Sequence, residues 1–414
     1  MASVRVFLTI VAAAVFVSFS TWELLNRVVV VIVAVIVFAF VWSRWSLTGI
    51  GLTWSLPQDR AQVGQMLTSR FSVSNSGLLP KPWLEVRDQS NFPGHIASRV
   101  VRVGRRAQVS WEIETLCRRR GRHHIGPMSL ISADPFGAFP ATRRIPGVVD
   151  VTIYPAEFEL PHFPIPSGML TGSAATQRRT PFVTPSVAGI REYASGDGFN
   201  RISWSATARL GRFMVKEFDI DPTSDVWVLL DCERAHRVEA RVNAAVPTAE
   251  QRRDERLRYL DSTEEYAVAA AASVAKHCLS QGRGVGLILS AAHHEVIPAE
   301  RSERVRVKIL ETLAVSSADG QRPLTDVLMA EWRRFGRNSG VVIVTSSTDS
   351  SWVDVVAKMH THRIQVVAIV VDGASFGSAP AIDSTLDQLA RAGVPAYIIR
   401  NGADIGLALA TVAS

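Results

Sequence analysis

The sequence predicts a protein of the α/β plus β class behind an N-terminal two-helix membrane hairpin. Three observations support this: two long apolar stretches come first, proline-rich alternating segments follow, and apolar strands alternate with helices in the C-terminal part. The length of 414 residues, 47% of them hydrophobic and 20% charged, favours two soluble domains. The predicted ranges are 1–45 for the hairpin, 46–154 for a β-sandwich-like domain, 155–222 for a linker with a signature segment, and 223–414 for a doubly wound α/β domain.

The two N-terminal apolar stretches are typical of membrane-spanning helices. Residues 6–19 are apolar except for two hydroxyl side chains, and residues 28–42 are apolar throughout. With its flanks, the second stretch approaches the length that crosses a bilayer, and Trp42 and Trp45 stand where interfacial aromatics are expected. The alternatives are a cleaved signal peptide over residues 1–22, which lacks a small-residue cleavage site, and a buried core helix, which would be striped rather than apolar all round.

The flanking arginines orient the predicted hairpin. Arg5 before the first stretch and Arg44 after the second, with further arginines beyond it, outnumber Arg27 in the short loop. By the positive-inside rule, both ends of the hairpin then face the cytoplasm. We therefore expect a two-pass protein of the cell inner or plasma membrane, with cytoplasmic soluble domains and the lipid bilayer as its first partner.

Net charge and cysteine content limit which further partners and cross-links we expect. A formal net charge of +7 is explained by a body that lies close to an anionic leaflet, so no nucleic-acid partner is predicted. Cys117, Cys232 and Cys278 are scattered without metal or redox spacing, and no disulfide framework is expected.

Short alternating segments and frequent prolines characterise residues 46–154. Arg70–Ser74, Trp83–Val86 and Val109–Ile113 alternate polar and apolar side chains. The prolines break helices and confine strands to short or edge roles, which predicts a β-sandwich-like domain. Residues 155–190 are rich in proline, glycine, serine and threonine, a composition typical of an extended linker.

After residue 223 the pattern changes to apolar strands that alternate with helices. The first strand, Val226–Leu230, is continuously apolar and ends in Asp231, and an Ala-rich helix is predicted at Glu264–Leu279. Such strands indicate a parallel sheet covered by helices on both faces. Because ligands bind beyond the carboxyl ends of the strands in these folds, Asp231 is a candidate site residue.

A signature segment between the linker and the α/β region is the most distinctive part of the chain. Its residues, in order and at fixed spacing, are Arg191, Tyr193, Gly196, Asp197, Arg201, Ile202, Trp204, Ala208, Arg209, Val215, Lys216 and Glu217. In this pattern the sequence closely resembles the bacterial family catalogued as domain of unknown function 58, as it does at Asp134–Gly137 upstream. The resemblance implies a von Willebrand A-like α/β domain, a MoxR-type AAA+ ATPase as partner, and other membrane proteins nearby.

Two interpretations of the signature segment follow from its chemistry. In the first, a helical lid docks on the α/β domain through Trp204 and a network of charges that includes Asp197 and Arg201. In the second, the same charges contact a protein partner or a bound anion. The candidate interaction residues are Arg191, Tyr193, Gly196, Asp197, Arg201, Trp204, Arg209, Lys216 and Glu217.

The family resemblance also implies a possible metal position. Domains of the von Willebrand A type often bind a divalent cation through D-x-S-x-S after the first strand, with oxygen ligands that suit Mg²⁺. Asp231 matches the aspartate, but Glu233 and Ala235 stand in place of the two serines. We expect Asp231 to mark a degenerate metal site. Instead of binding a cation, Asp231 would cap a helix or pair with an arginine. We also expect the protein to hold no cofactor.

These observations favour a non-enzymatic function. The sequence contains neither a G-x-S-x-G elbow nor a phosphate-binding G-x-x-x-x-G-K loop. The leading expectation is a membrane-anchored interaction and assembly platform that acts with a MoxR-type AAA+ ATPase. The alternatives are a divalent-cation-dependent ligand-binding module that uses Asp231, and a hydrolase with an unrecognised site.

Overall fold

The computed structural model describes residues 23–164, 187–193, 202–218, 225–240, 254–336, 339–362 and 364–413. The chain divides into two compact units, residues 1–156 and residues 157–414, which we call unit 1 and unit 2. The first predicted membrane helix, over residues 6–19, lies outside the described residues, so that half of the hairpin stays a prediction.

Unit 1 begins with one long apolar helix, α1, over Glu23–Ser46. Its 20 residues Arg27–Ser46 have a mean hydropathy of 2.5, and their length and composition suffice to cross a membrane, a property that membrane anchors share with signal sequences. Most side chains before residue 39 are exposed. Ala39, Ser43 and Ser46 are buried, and their helical spacing places them on one face, so the end of α1 packs while its first part does not.

The rest of unit 1 consists of three small sheets. Their strands are β1 Ile50–Ser55, β2 Arg60–Gln62, β3 Met66–Asn75, β4 Lys81–Asp88, β5 Arg99–Val103, β6 Gln108–Leu116, β7 Gly121–Ile125, β8 Met128–Ser132, β9 Ala141–Ile145 and β10 Val149–Tyr154. The sheet orders are β1-β3-β6, β2-β10-β7 and β5-β4-β8-β9, and every pair except β2–β10 is antiparallel. Burial alternates along β3, as the polar and apolar pattern predicts. The predicted short strands of this region are confirmed, and they form mainly antiparallel sheets.

Unit 2 contains a two-stranded sheet followed by an α/β region. The sheet pairs β11 Val187–Glu192 with β12 Met214–Phe218, and helix α2 Trp204–Leu210 lies between them in the chain. The α/β region contains β13 Val226–Asp231, α3 Thr263–Ser280, β14 Val285–Ser290, β15 His294–Glu300, α4 Glu303–Val315, α5 Leu324–Glu331, β16 Gly340–Thr345, α6 Ser351–Thr361, β17 Gln365–Val371, α7 Asp383–Arg391, β18 Ala396–Ile399 and α8 Ile405–Ala408.

The α/β sheet has the order β15-β14-β13-β16-β17-β18. All pairs are parallel except the edge strand β15, which runs antiparallel to β14. Every residue of β14 and β16 is buried, because helices cover both faces of the sheet. This confirms the predicted C-terminal sheet of mainly parallel strands with helices.

The first residues of the predicted linker belong to the packed part of unit 2. Phe158, Leu160 and Phe163 are buried, and the Phe158 amide donates a hydrogen bond to the Ser273 hydroxyl on α3 at 2.8 Å. Glu157 forms an ion pair with Arg306 on α4 at 2.8 Å. Apolar side chains within a proline-containing stretch thus anchor its start to the α/β region, whereas residues 165–186 lie outside the described residues.

Candidate functional site

The carboxyl ends of β13 and β16 form the candidate site of the α/β region. These two strands are neighbours in the sheet, and the strand order reverses between them. In doubly wound sheets the crevice at such a reversal is where ligands bind. Asp231 is the last residue of β13 and Thr345 is the last residue of β16, so the predicted site residue lies at this position.

The Asp231 carboxylate is fully engaged by neighbouring groups. Its Oδ2 accepts a hydrogen bond from the Thr345 hydroxyl at 2.6 Å, and its Oδ1 accepts one from the Glu233 amide at 3.0 Å. Burial raises the pKa of Asp231, while these two hydrogen bonds lower it and so favour the carboxylate. Asp231 therefore ties two strand ends together and supports the turn that follows β13.

A second set of polar groups surrounds this pair. The Thr345 hydroxyl accepts a hydrogen bond from the Ser347 amide at 2.9 Å, and the Ser346 hydroxyl donates to the His236 carbonyl at 3.1 Å. Burial, reinforced by the Asp231 and Asp349 carboxylates, raises the pKa of Glu233, although His236 opposes this. The rim of the site is thus acidic, with one imidazole in contact with it.

The residues present do not fit a divalent cation. Each Asp231 oxygen already accepts one hydrogen bond, and Glu233 and Ala235 stand where the two hydroxyl ligands would be. Across the described ranges, no group of three or more His, Cys, Asp or Glu side chains could hold a metal ion. The cavity beside Asp231 has a volume of only about 10 Å³. The sequence-based expectation of a degenerate site at Asp231 stays a prediction that calorimetry can test.

The same residues do not form a serine hydrolase triad. His236 Nε2 lies 3.2 Å from the Ser347 hydroxyl and 3.5 Å from Glu233 Oε2. In a triad, one ring nitrogen contacts the nucleophile while the other contacts the acid, which fixes the tautomer of the base. Here the same ring nitrogen, Nε2, faces both the Ser347 hydroxyl and the Glu233 carboxylate. The arrangement is therefore a hydrogen-bonding network and not a catalytic triad.

The signature segment forms a small module around the β11–β12 pair. Ile202 bridges to Val215, and the Ser203 amide donates to the Met214 carbonyl at 2.8 Å. The Met214 amide in turn donates to the Thr207 hydroxyl at 3.0 Å, so backbone contacts hold α2 against β12. Gly211 ends the helix with a φ of 67°, a left-handed conformation that glycine adopts without strain.

This module exposes apolar side chains instead of burying them. No residue of α2 is buried, and Trp204 is 65% exposed. Leu210 and Phe213, on either side of the turn that follows the helix, are also exposed. A lid docked through Trp204 would bury that ring, so the described residues favour the interpretation that the segment contacts a partner. We call Trp204, Leu210 and Phe213 the signature surface.

The other signature residues have assigned positions within or beside the module. Tyr193 follows β11, its amide donates to the Phe213 carbonyl at 2.9 Å, and the two rings pack edge to face at 6.3 Å. Arg191 pairs with Val215, and Lys216 and Glu217 occupy the next positions of β12. Arg209 lies in the last turn of α2. The described residues do not include Gly196, Asp197 and Arg201.

Sequence reasoning missed two residues of the signature surface. Leu210 and Phe213 were not part of the signature pattern, and their apolar side chains alone predict burial. Thr345 also belongs to the site, because its hydroxyl at the end of the neighbouring strand reaches Asp231.

Comparisons with known proteins agree with the pattern of the signature segment. The family described as "Protein of unknown function DUF58" matches residues 189–375. The uncharacterized protein YeaD of Bacillus subtilis (strain 168) is 20% identical over 317 residues, which cover 75% of this chain and 71% of YeaD.

Likenesses among solved structures are weak. The CARDB domain of a Pyrococcus furiosus protein is 15% identical, with 25% of this chain and 91% of that domain covered and a TM-score of 0.19. The Pseudomonas fluorescens alkylpurine DNA glycosylase AlkC is 14% identical, with 32% of this chain and 40% of AlkC covered and a TM-score of 0.19. Scores of this size carry no argument about function. Residues 189–375, which span the signature segment and most of the α/β region, thus belong to the DUF58 family.

Proposed function

We propose that the protein is a non-enzymatic, membrane-anchored interaction and assembly platform that acts with a MoxR-type AAA+ ATPase. The ATPase would supply the nucleotide chemistry, and this chain would hold the ATPase and further membrane proteins at the bilayer. The observation that carries the proposal is the exposed signature surface of unit 2.

Three large apolar side chains of this small module are exposed, which is typical of a binding surface. Trp204, Leu210 and Phe213 are each more than half exposed, at 65%, 52% and 55%. Large apolar side chains grouped on a surface mark interaction sites, and tryptophan is enriched among the residues that dominate binding energy. Arg212 pairs with Glu192 at 3.2 Å beside this surface and would belong to its polar rim.

The α/β region supports a von Willebrand A-like assignment. Numbered from the first strand of the region, the sheet has the order 3-2-1-4-5-6, with the third strand antiparallel at one edge. The polar cluster around Asp231 occupies the reversal point of this order. Domains of this architecture present loops at that end of the sheet, which suits a protein-binding role.

Two features support a membrane anchor. Helix α1 is long and apolar enough to cross a bilayer, and a second apolar stretch precedes it at residues 6–19. A two-helix hairpin with arginines outside its short loop would leave units 1 and 2 in the cytoplasm, where an ATPase has access to nucleotide. We therefore propose a two-pass protein of the inner or plasma membrane.

The cysteine chemistry supports a non-enzymatic role. Burial raises the pKa of Cys117 to about 11 and that of Cys278 to about 12, so neither thiol is poised as a nucleophile near neutral pH. Cys232 is also buried.

The direct test is co-purification from membranes. The full chain, solubilised in mild detergent, is captured after co-expression with the MoxR-type ATPase of the same organism, with and without ATP. We expect capture by the wild type and a large loss with Leu210→Ala, which truncates the signature surface. Leu407→Ala is the matched control, because Leu407 is a similarly exposed leucine of unit 2. Absence of the ATPase in both nucleotide conditions would overturn the proposal.

A sidedness assay tests the anchor separately. The native cysteines are buried and cannot report which side of the membrane they occupy. Leu407→Cys places a thiol at an exposed position of unit 2. In intact cells we expect an impermeant maleimide to leave this thiol unlabelled until the membrane is opened. Labelling of intact cells would contradict a cytoplasmic location.

A further inference from the structure

The last two turns of α1 are in contact with a loop of unit 1. The Phe40 and Phe139 rings pack edge to face, with 5.7 Å between their centroids, and the Ser43 hydroxyl donates to the Phe139 carbonyl. Phe40 lies six residues before Ser46, the last residue of the helix. At a rise of about 1.5 Å per residue, Phe40 therefore lies about 9 Å back along the helix axis from the point where α1 ends.

This loop, Asp134–Phe139, is built to enter an apolar environment. Its sequence is Asp-Pro-Phe-Gly-Ala-Phe, in which only Asp134 is charged. The Asp134 carboxylate is buried and accepts hydrogen bonds from the Phe136 amide at 2.9 Å and the Phe139 amide at 2.6 Å. The Gly137 amide donates to the Asp134 carbonyl at 3.0 Å. These hydrogen bonds pair the Asp134 carboxylate and three backbone amides, which lowers the cost of moving the loop out of water.

The loop points an aromatic ring outward. Phe136 is 67% exposed, although it is one of the largest apolar side chains of the unit. A groove of about 440 Å³ separates the loop from the end of α1 and the start of β4, and it is lined mainly by apolar side chains. These include Trp42, Trp45, Leu79, Trp83 and Phe136. Lys81 lies at its wall, where its ammonium group donates to the Trp45 carbonyl at 3.0 Å.

We propose that the Asp134–Phe139 loop inserts into the leaflet from which α1 emerges, and that the groove holds an acyl chain of a leaflet phospholipid. The occupant follows from continuity, because the groove opens against the C-terminal end of a helix that spans the bilayer under the proposed function. In that arrangement Trp42 and Trp45 would lie at the level of the headgroups. The inference rests on the proposed membrane anchor and adds a second, non-helical contact with the bilayer.

The arrangement has a physical consequence for unit 1. With the loop and α1 both in the leaflet, unit 1 contacts the bilayer at two points and cannot rotate freely about the helix end. The burial of Phe136 by lipid would add apolar contact area that stabilises membrane association. The Asp134–Gly137 stretch that carries part of the family resemblance would then have a structural role in the membrane.

The test measures depth in the bilayer with the full chain in lipid vesicles. Phe136→Cys is labelled with a small fluorophore, and Ile96→Cys, at an apolar position that is 75% exposed in the same unit, is the matched control. The buried native cysteines do not compete for the label. Nitroxides on phospholipid acyl chains quench a label in the leaflet, and iodide quenches a label in water. We expect acyl-chain quenching at position 136 and iodide quenching at position 96.

The occupant of the groove is identified by cross-linking in the same vesicles. A benzophenone amino acid replaces Phe136, and mass spectrometry finds what it captures. We expect a phospholipid adduct. Capture of residues 6–19 of the same chain or of a second copy would overturn the proposal, as would iodide quenching equal at positions 136 and 96. Flotation of the vesicles separates the loop insertion from the membrane anchor. If the chain floats with the vesicles while position 136 stays in water, only the loop insertion is refuted. If the chain does not float, the anchor is refuted.

Discussion

Thr345 donates a hydrogen bond to the buried carboxylate of Asp231 at 2.6 Å and so joins the ends of β13 and β16. These two strands flank the point where the order of the sheet reverses. In many α/β proteins that point is an open ligand crevice. Here the side chains at the reversal point hydrogen-bond to one another, whereas the signature module carries exposed large apolar side chains.

Removing the Thr345 hydroxyl should destabilise unit 2. Thr345→Val keeps the shape of the side chain but leaves one Asp231 oxygen and the Ser347 amide without their partner, at a cost of about 2 kcal/mol. Thr345→Ser retains the hydroxyl and should cost much less. The measurement is the apparent thermal midpoint of the detergent-solubilised chain. Equal midpoints for the two variants would show that the hydrogen bond has no role in stability.

Mg²⁺ and Mn²⁺ should not bind at Asp231. Both carboxylate oxygens are engaged, and Glu233 and Ala235 replace the hydroxyl ligands that the family resemblance implies. Isothermal calorimetry of the full chain should give no heat beyond dilution, and Asp231→Ala should behave alike. Tight binding that Asp231→Ala abolishes would instead establish the cation-dependent binding module.

The Glu157–Arg306 pair should hold residues 157–164 on the α/β region. Arg306 contacts both Glu157 oxygens, at 2.8 and 3.3 Å, and the Glu157 side chain is almost fully buried. Arg306→Ala leaves that carboxylate without its main cation, at a cost of about 2 kcal/mol since Arg306 itself is partly exposed. Hydrogen exchange of residues 157–164 should speed up, whereas Arg304→Ala, an exposed neighbour on α4, should leave it unchanged. Unchanged exchange in both variants would contradict the anchoring role.

Unit 1 should lose stability in mild acid because of His95. Burial between Phe71 and Phe92 lowers the pKa of His95, although the Asp88 carboxylate at 3.6 Å opposes this shift. As the pH falls through about 6.5, the unfolded chain takes up the proton before the folded chain does, so the free energy of unfolding decreases.

The matched variant for this effect is His95→Gln, which cannot titrate. The drop in apparent thermal midpoint between pH 7.5 and pH 5.5 should be smaller for His95→Gln than for the wild type. An identical drop would assign the acid sensitivity to other groups.

Much of the fold could be predicted because it depends on local pattern. The burial of a continuously apolar strand such as β13, and of one face of an alternating strand such as β3, can be predicted from the strand's own sequence. Asp231 was identified as a site residue because it directly follows an apolar strand.

The features that could not be predicted are contacts between residues distant in sequence, and surfaces whose binding partner the sequence does not show. Glu157 and Arg306 are 149 positions apart, and no local pattern links them. Trp204 lies on a helix of seven residues, too short for its apolar positions to show whether they face the protein's own core or a partner. The contact between α1 and the Asp134–Phe139 loop likewise joins residues about a hundred positions apart.

The most direct measurement of the central claim is the affinity of the chain, in lipid nanodiscs, for the purified MoxR-type ATPase of the same organism. If the signature surface is the docking site, Trp204→Ala should weaken binding by about 30-fold, the effect of removing a dominant interface side chain. Leu407→Ala, outside that surface, should bind like the wild type. Measurable wild-type binding that Trp204→Ala leaves unchanged, or no binding by the wild type, would contradict the account.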